Sequence, residues 1–232
     1  MARKSYEIME VLATSIAVDE AQGFIKSGHG FYDYENKCNV FDNKTAIRYI
    51  INDVKEAEDI DVTVTSKHME KAEELKTYFD SVIVMKKLTG NFNGFEDTVG
   101  NILNKTEVDN YGISVLASLP NSMRIQKQRD DMDDFYEDMR QSSEYVGKVG
   151  SRGAFSLFIK DVKYIAKYGI HLVTAVESDQ NLIKFFWSKD PDISNLIVGK
   201  SMRVTGFVKE QSISKFSNCK ETVLNRVKIE KK

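Results

Sequence analysis

The chain has 232 residues, 41% of them hydrophobic and 10% aromatic, with only two prolines and a formal charge of −2. That balance supports one large core or two small ones and excludes wholesale disorder. No apolar run approaches the roughly 18 residues that span a bilayer. The first residues carry no apolar export segment, which predicts a cytoplasmic protein. Cys38 and Cys219 match no metal or redox spacing, and both are expected to be reduced.

The small net charge conceals a division. Residues 145–232 hold 16 lysines and arginines against 8 acids, whereas residues 1–144 hold 17 against 27. The two halves are therefore net +8 and net −10. A basic module attracts a polyanion and an acidic one is repelled by it, so the halves are expected to meet different partners. The boundary is drawn at residue 144, with an acidic, mainly helical domain before it and a basic domain after it.

In chain order, Ile8, Met9, Leu12 and Ile16 give a short amphipathic helix within 6–18. Gly23, Gly28 and Gly30 then punctuate an aromatic stretch, Phe24 to Tyr34, that reads as a hairpin or an irregular loop folded against the core. The glycine spacing is not a phosphate-binding fingerprint, since no strand leads into it and no Lys-Ser/Thr follows. Asp42 or Asn43 caps a helix with a broad apolar face from Ala46 to Val54, ending near Glu58. Residues 60–64 read as an extended linker.

Thr65 and Ser66 cap the next helix, whose buried stripe is Met69, Ala72, Leu75, Tyr78, Phe79 and Val82. His68 in its first turn has no partner at i+4 and reads as a surface residue. A third helix runs from Phe95 to Leu103, and an apolar segment from Gly112 to Leu119 is stopped by Pro120. Residues 121–145 form one long polar helix. Its run Asp130-Asp131-Met132-Asp133-Asp134 fans its carboxylates around more than one face without a histidine. That favours a solvated helix over a metal site, with a partner-binding acidic surface as the alternative.

Beyond Gly147, Gly150 and Gly153, strands dominate. Phe155, Leu157 and Ile159 alternate with Ser156, Phe158 and Lys160 in a period of two. Further strands are expected at 170–177, 182–187, 202–209 and 222–229, with a longer connection at 189–199 that has room for a short helix. Five strands with the long connection between the third and fourth is the plan of an OB barrel. An SH3-like barrel or a small open sheet shares most of this pattern. The fold class is α+β: a helical N-terminal domain followed by a five-stranded OB-type barrel.

Binding a single strand needs cations along the backbone and flat side chains on which bases stack. A lysine is out of place inside a small barrel, so Lys184 is expected to point outward with Phe186, leaving Phe185 and Trp187 for the core. By the same alternation Lys160, Phe158, Val162 and Tyr164 face outward. In the last strand Leu224, Arg226 and Lys228 share one face. Tyr164 and Tyr168 flank the first hairpin, and Lys209, Lys215, Phe216 and Lys220 surround the loop between strands four and five.

The string Gly206-Phe207-Val208-Lys209, then Phe216, then Lys220 through Lys228, preceded by Tyr168-Gly169 and Phe186-Trp187, resembles the OB-like carboxy-terminal module of phage-type DNA-replication proteins. There the pattern runs Tyr-Gly, Trp-Phe, Gly-Thr-Val-Lys, an aromatic, and Thr-x-Leu-x-Arg-Val-Lys. Phe207 stands for the threonine, and Gln211 stands where a histidine is common. The resemblance covers about residues 145–229 and implies a virus- or phage-type factor of DNA metabolism.

The expected function is low-specificity binding of single-stranded DNA, or RNA, in replication or recombination. The site is expected at Tyr164, Tyr168, Lys184, Phe186, Lys209, Lys215, Phe216 and Arg226. The acidic half is expected to dock a replication protein or to control self-association. No cofactor or metal is implied. His29, His68 and His171 lie in unrelated contexts and no P-loop is present, which argues against an enzyme. The alternative is an adaptor whose barrel binds protein or RNA.

Overall fold

The computed structural model describes residues 5–188 and 196–230. It separates into two units, Met1–Gln128 and Arg129–Lys232. The architecture is α+β, helical in the first unit and a closed five-stranded barrel in the second.

The first unit is built around helix α1 (Ile8–Gln22), which is buried on nearly every side: Val11, Leu12, Ala13 and Val18 are fully inaccessible. Helices α2 (Asn43–Ile51), α3 (Ser66–Thr89), α4 (Gly94–Leu103) and α5 (Asn110–Leu116) supply the rest of its core, including Ile47, Leu75, Phe79, Val99, Leu103 and Ile113. Two short strands, β1 (Tyr6–Glu7) and β4 (Glu107–Val108), pair antiparallel. Side chains satisfy the exposed amides of the helix starts. Asp42 accepts from the Thr45 amide at 3.1 Å, Asn93 from Phe95 at 2.8 Å, and Asp109 from Tyr111 and Gly112 at 3.0 Å. His68 has a structural duty that the sequence reading did not give it. Its Nδ1 accepts from the Thr65 amide at 3.0 Å, closing a capping box, and its Nε2 lies 3.5 Å from Glu20.

Three details differ from expectation. The glycine-aromatic stretch does form a hairpin, β2 (Phe31–Asp33) with β3 (Cys38–Val40), but Phe31, Tyr32 and Tyr34 are exposed rather than folded onto the core. The helix after Asp42 ends at Ile51, and a short 3₁₀ turn covers Lys55–Asp59. Pro120 opens a helix as well as separating two. It lies in the first turn of α6 (Leu119–Ser142), where its missing N–H forfeits no intrahelical bond.

In the second unit the strands are β5 (Arg152–Ile165), β6 (Ile170–Glu177), β7 (Leu182–Trp187), β8 (Ser201–Ile213) and β9 (Lys220–Ile229). Their order β5-β6-β7-β9-β8 closes on itself, with β7 and β9 parallel and every other pair antiparallel. This is an OB-like barrel. Strand β5 is long enough to close the barrel: residues 152–158 pair with β8 and residues 157–165 with β6. The interior is Phe155, Leu157, Ile159, Val173, Ala175, Ile183, Phe185, Val204, Val208, Leu224 and Val227. The expected connection at 189–199 falls largely outside the described residues.

Three register shifts interrupt the simple alternation; one, on β8 between Val208 and Glu210, leaves Lys209 as the extra residue, and the other two overturn expected faces. The β5–β6 register shifts between Ile159 and Asp161, and one extra residue exchanges the faces beyond it. Val162 therefore packs on the barrel core, and Tyr164 follows it onto the inner side, instead of both facing outward with Phe158. In β9, Arg226 adopts φ +49° at a shift opposite Gly206. Arg226 is exposed as expected, but Leu224 is buried and Val223 takes the outer side.

Candidate nucleic-acid interface

Tyr164, His171 and Trp187 stand directly opposite one another on β5, β6 and β7. The Tyr164 and His171 rings are 5.0 Å apart and tilted by 43°. Each lies two residues from an interior side chain, Val162, Val173 and Phe185 respectively, so the row continues the inward face past the filled core. Trp187 still packs against that core, while Tyr164 is 57% exposed. The three flat groups form one row at this end of the barrel, Tyr164 exposed and His171 and Trp187 partly so, with the Trp187 indole nitrogen buried.

The next row, on the outer face of the same strands, is Lys163, Leu172 and Phe186, with Phe186 half exposed. Tyr168 tips the β5–β6 turn at 64% exposure, and Lys167 Nζ lies 5.3 Å from its ring. Gly169 takes φ +61°, the left-handed conformation that closes this turn. Three expected site residues, Tyr164, Tyr168 and Phe186, thus lie at one end of the barrel, Tyr164 on the inner side of the wall and Phe186 on the outer. Lys163 and Lys167, which supply the cations there, were not selected from sequence. Their signal was the repeated Lys-Tyr pairing at 163–164 and 167–168.

Lys184 faces outward but is not open to a ligand. Its Nζ lies 2.7 Å from the Glu221 carboxylate, 3.4 Å from Ser214 Oγ and 5.7 Å from the Tyr136 ring. The C-terminal turns of α6 cover this part of the wall. Met139 packs with Val176, Leu182 and Cys219 outside the barrel, joined by Phe135 and Tyr136. Arg140 Nε donates to the Ser217 carbonyl at 2.9 Å, and Ser143 Oγ bridges the Leu182 amide and the Lys220 carbonyl at 2.8 Å each. Burial raises the Tyr136 hydroxyl above its ordinary pKa, against the opposing pull of the Lys184 charge. Lys220 is likewise engaged, 2.7 Å from Glu144.

The remaining expected residues lie elsewhere. Lys215 and fully exposed Phe216 sit in the β8–β9 turn, which the register places beside Leu182, the first residue of β7. The β5–β6 turn lies beside Trp187, the last residue of β7. A six-residue strand spans roughly 17–20 Å, so the two groups of rings occupy opposite ends with the helix-covered Lys184 between them. Lys209 is exposed on β8, and the Arg226 guanidinium lies 5.8 Å from the Phe207 ring.

The chemistry on offer is stacking and charge neutralisation. Among the described residues no group of three or more histidine, cysteine or acidic side chains is arranged to hold a metal ion, and no helix is long and apolar enough to cross a membrane. No family model, curated protein or solved structure matches the chain.

Proposed function

We propose that the barrel binds single-stranded nucleic acid, with DNA as the intended ligand and little dependence on base sequence, as an accessory factor of phage-type replication or recombination. The observation that carries this reading is the set of exposed rings at one end of the barrel, Tyr164, Tyr168 and Phe186, with His171 and Trp187 continuing the row from Tyr164 and with Lys163 and Lys167 beside them. Every base has a face to stack, so such a surface holds a strand without reading it, and the lysines meet its phosphates. The strand engages the barrel mouth rather than Lys184, whose charge is already neutralised by Glu221.

The acidic first unit does not favour the same ligand and is assigned to a protein partner. Val84, Met85 and Leu88 form an exposed apolar strip on α3 that supports this assignment. The same strip is what favours the competing reading, a protein adaptor without strand binding.

Fluorescence polarisation of a labelled oligothymidylate, titrated with the full chain over a salt series, separates them. Tyr168→Ala and Phe186→Ala are each expected to weaken binding by about 1–3 kcal/mol, roughly 5- to 150-fold, without changing the salt dependence. No binding at low salt, or no loss from either substitution, contradicts the proposal.

A further inference from the structure

A second charged surface lies on the outward side of β5, β8 and β9. Register places Arg152 opposite Phe207, Ala154 opposite Thr205, and Ser156 opposite Arg203; Thr205 in turn faces Lys228. Small side chains, Ala154, Ser156 and Thr205, make a shallow floor, and Arg152, Arg203, Arg226 and Lys228 stand exposed around it. Phe207 is the fixed point of the arrangement. The Arg152 and Arg226 guanidiniums lie 5.9 and 5.8 Å from its ring, and Arg152 also donates to Thr205 Oγ1 at 3.2 Å. A ring that holds two guanidiniums near one another works against their mutual repulsion and leaves their outer N–H groups free for an anion.

The bulge at Arg226 is what makes this possible. With regular alternation an outward Arg226 would carry Leu224 out of the core with it; the inserted residue lets Leu224 and Val227 both stay buried. Among the described residues the carboxylate paired with these cations is Glu230, 3.4 Å from Arg203.

We propose that this wall is a second, electrostatic track for the phosphodiester backbone of nucleic acid, with Arg152, Arg226 and Lys228 as its phosphate contacts. The proposal rests on the reading of the barrel mouth as a strand-binding site and extends it. A strand leaving the mouth follows the outward side of β5, past Phe158 and Lys160, to reach Arg152. The fourteen residues of β5 span at most roughly 46 Å, so only a long ligand engages both regions. The wall offers Phe207 already occupied by its two arginines, so it contributes charge rather than stacking and is indifferent to base identity.

The test compares the full chain with Arg152→Ala/Arg226→Gly/Lys228→Ala, glycine being chosen because it accepts the positive φ. Two oligothymidylates are titrated over a salt series, one of about 6 and one of about 30 nucleotides, bracketing the OB site range of about 4–16. Losing three phosphate contacts lowers the slope of log K against log salt by about 2 for the long strand, with the short strand unchanged. The charge-preserving variant Arg152→Lys/Lys228→Arg keeps the wild-type slope and shows that folding is not the cause. An unchanged slope for the long strand in the triple variant overturns the second track while leaving the barrel mouth standing. Loss of short-strand binding in the triple variant also overturns it, because the two regions are then not separate. So does an acidic peptide whose binding alone is lost, which assigns the wall to protein. Failure of the wild-type chain to bind either strand overturns the parent reading as well.

Discussion

Lys184 and Glu221 face one another at 2.7 Å across the parallel β7–β9 pair, each about one-eighth exposed, with the Tyr136 ring over the ammonium. A lysine in the middle of an OB-like outer wall looks, from sequence, like a phosphate contact. In the folded chain it is a structural cation under the end of a helix.

Lys184→Met is therefore expected to act on stability first. It leaves the Glu221 carboxylate nearly buried without its counter-charge, which costs about 3–5 kcal/mol. Lys184→Met/Glu221→Leu recovers most of that loss. Urea unfolding followed through Trp187, the chain's single tryptophan, reports on the barrel directly. Oligonucleotide affinity of the folded double variant is expected to stay near wild type.

Two carboxyl groups of the first unit, Glu96 and Asp19, are shifted in opposite directions. Burial pushes Glu96 up, but its ion pair with Lys86 and the amides of the α4 N-terminus outweigh that and leave it below its ordinary value. A lowered folded value means that its stabilisation is complete above the ordinary carboxylate range and fades as pH falls through the folded value. Burial raises Asp19, with Arg124 only partly opposing, so its ionisation works against folding as pH rises through the folded value. Glu96→Gln should flatten the acid limb of a stability-against-pH curve, and Asp19→Asn should raise stability at neutral pH. Denaturation midpoints at several pH values check both.

Two glycines in the first unit are expected to respond oppositely to alanine. A Cβ at Gly112 would lie 2.4 Å from Val108 Cβ and 2.8 Å from its Cγ1, whereas one at Gly100 meets Ile83 Cδ1 at an ordinary 3.5 Å. Gly112→Ala is expected to destabilise by about 1–3 kcal/mol through overpacking. Gly100→Ala, inside α4, is expected to stabilise by up to about 1 kcal/mol. Thermal melts of the two variants give the comparison.

The strand plan of the barrel was legible because its hydrophobic period is strong: β6 and β7 fall on the expected residues, and β5, β8 and β9 extend the expected ones by a few. The faces were legible only as far as the first bulge. One inserted residue at Lys160 and another at Arg226 reversed the assignments of Val162, Tyr164 and Leu224, and nothing in residue types marks such an insertion. The cover over Lys184 was also hidden. The end of α6 looks polar, yet Phe135, Tyr136 and Met139 are enough to seat it on Val176, Leu182 and Cys219, all of them outside the barrel. Of the eight expected site residues, Tyr164, Tyr168 and Phe186 share one end of the barrel though not one face of its wall, Lys184 is sequestered, and Lys209, Lys215, Phe216 and Arg226 lie on other parts of the surface. Arg152 escaped notice because it precedes the alternating run, although its spacing from Phe158 puts it on the same outward face.

Photo-cross-linking of a halogenated oligouridylate or deoxyuridylate to the full chain, followed by peptide mapping, puts the central claim to its most direct test. Bases stacked at the mouth of the barrel should give adducts on Tyr164, Tyr168, Phe186 and Trp187. Adducts confined to the first unit, or none at a concentration where polarisation reports binding, would contradict it.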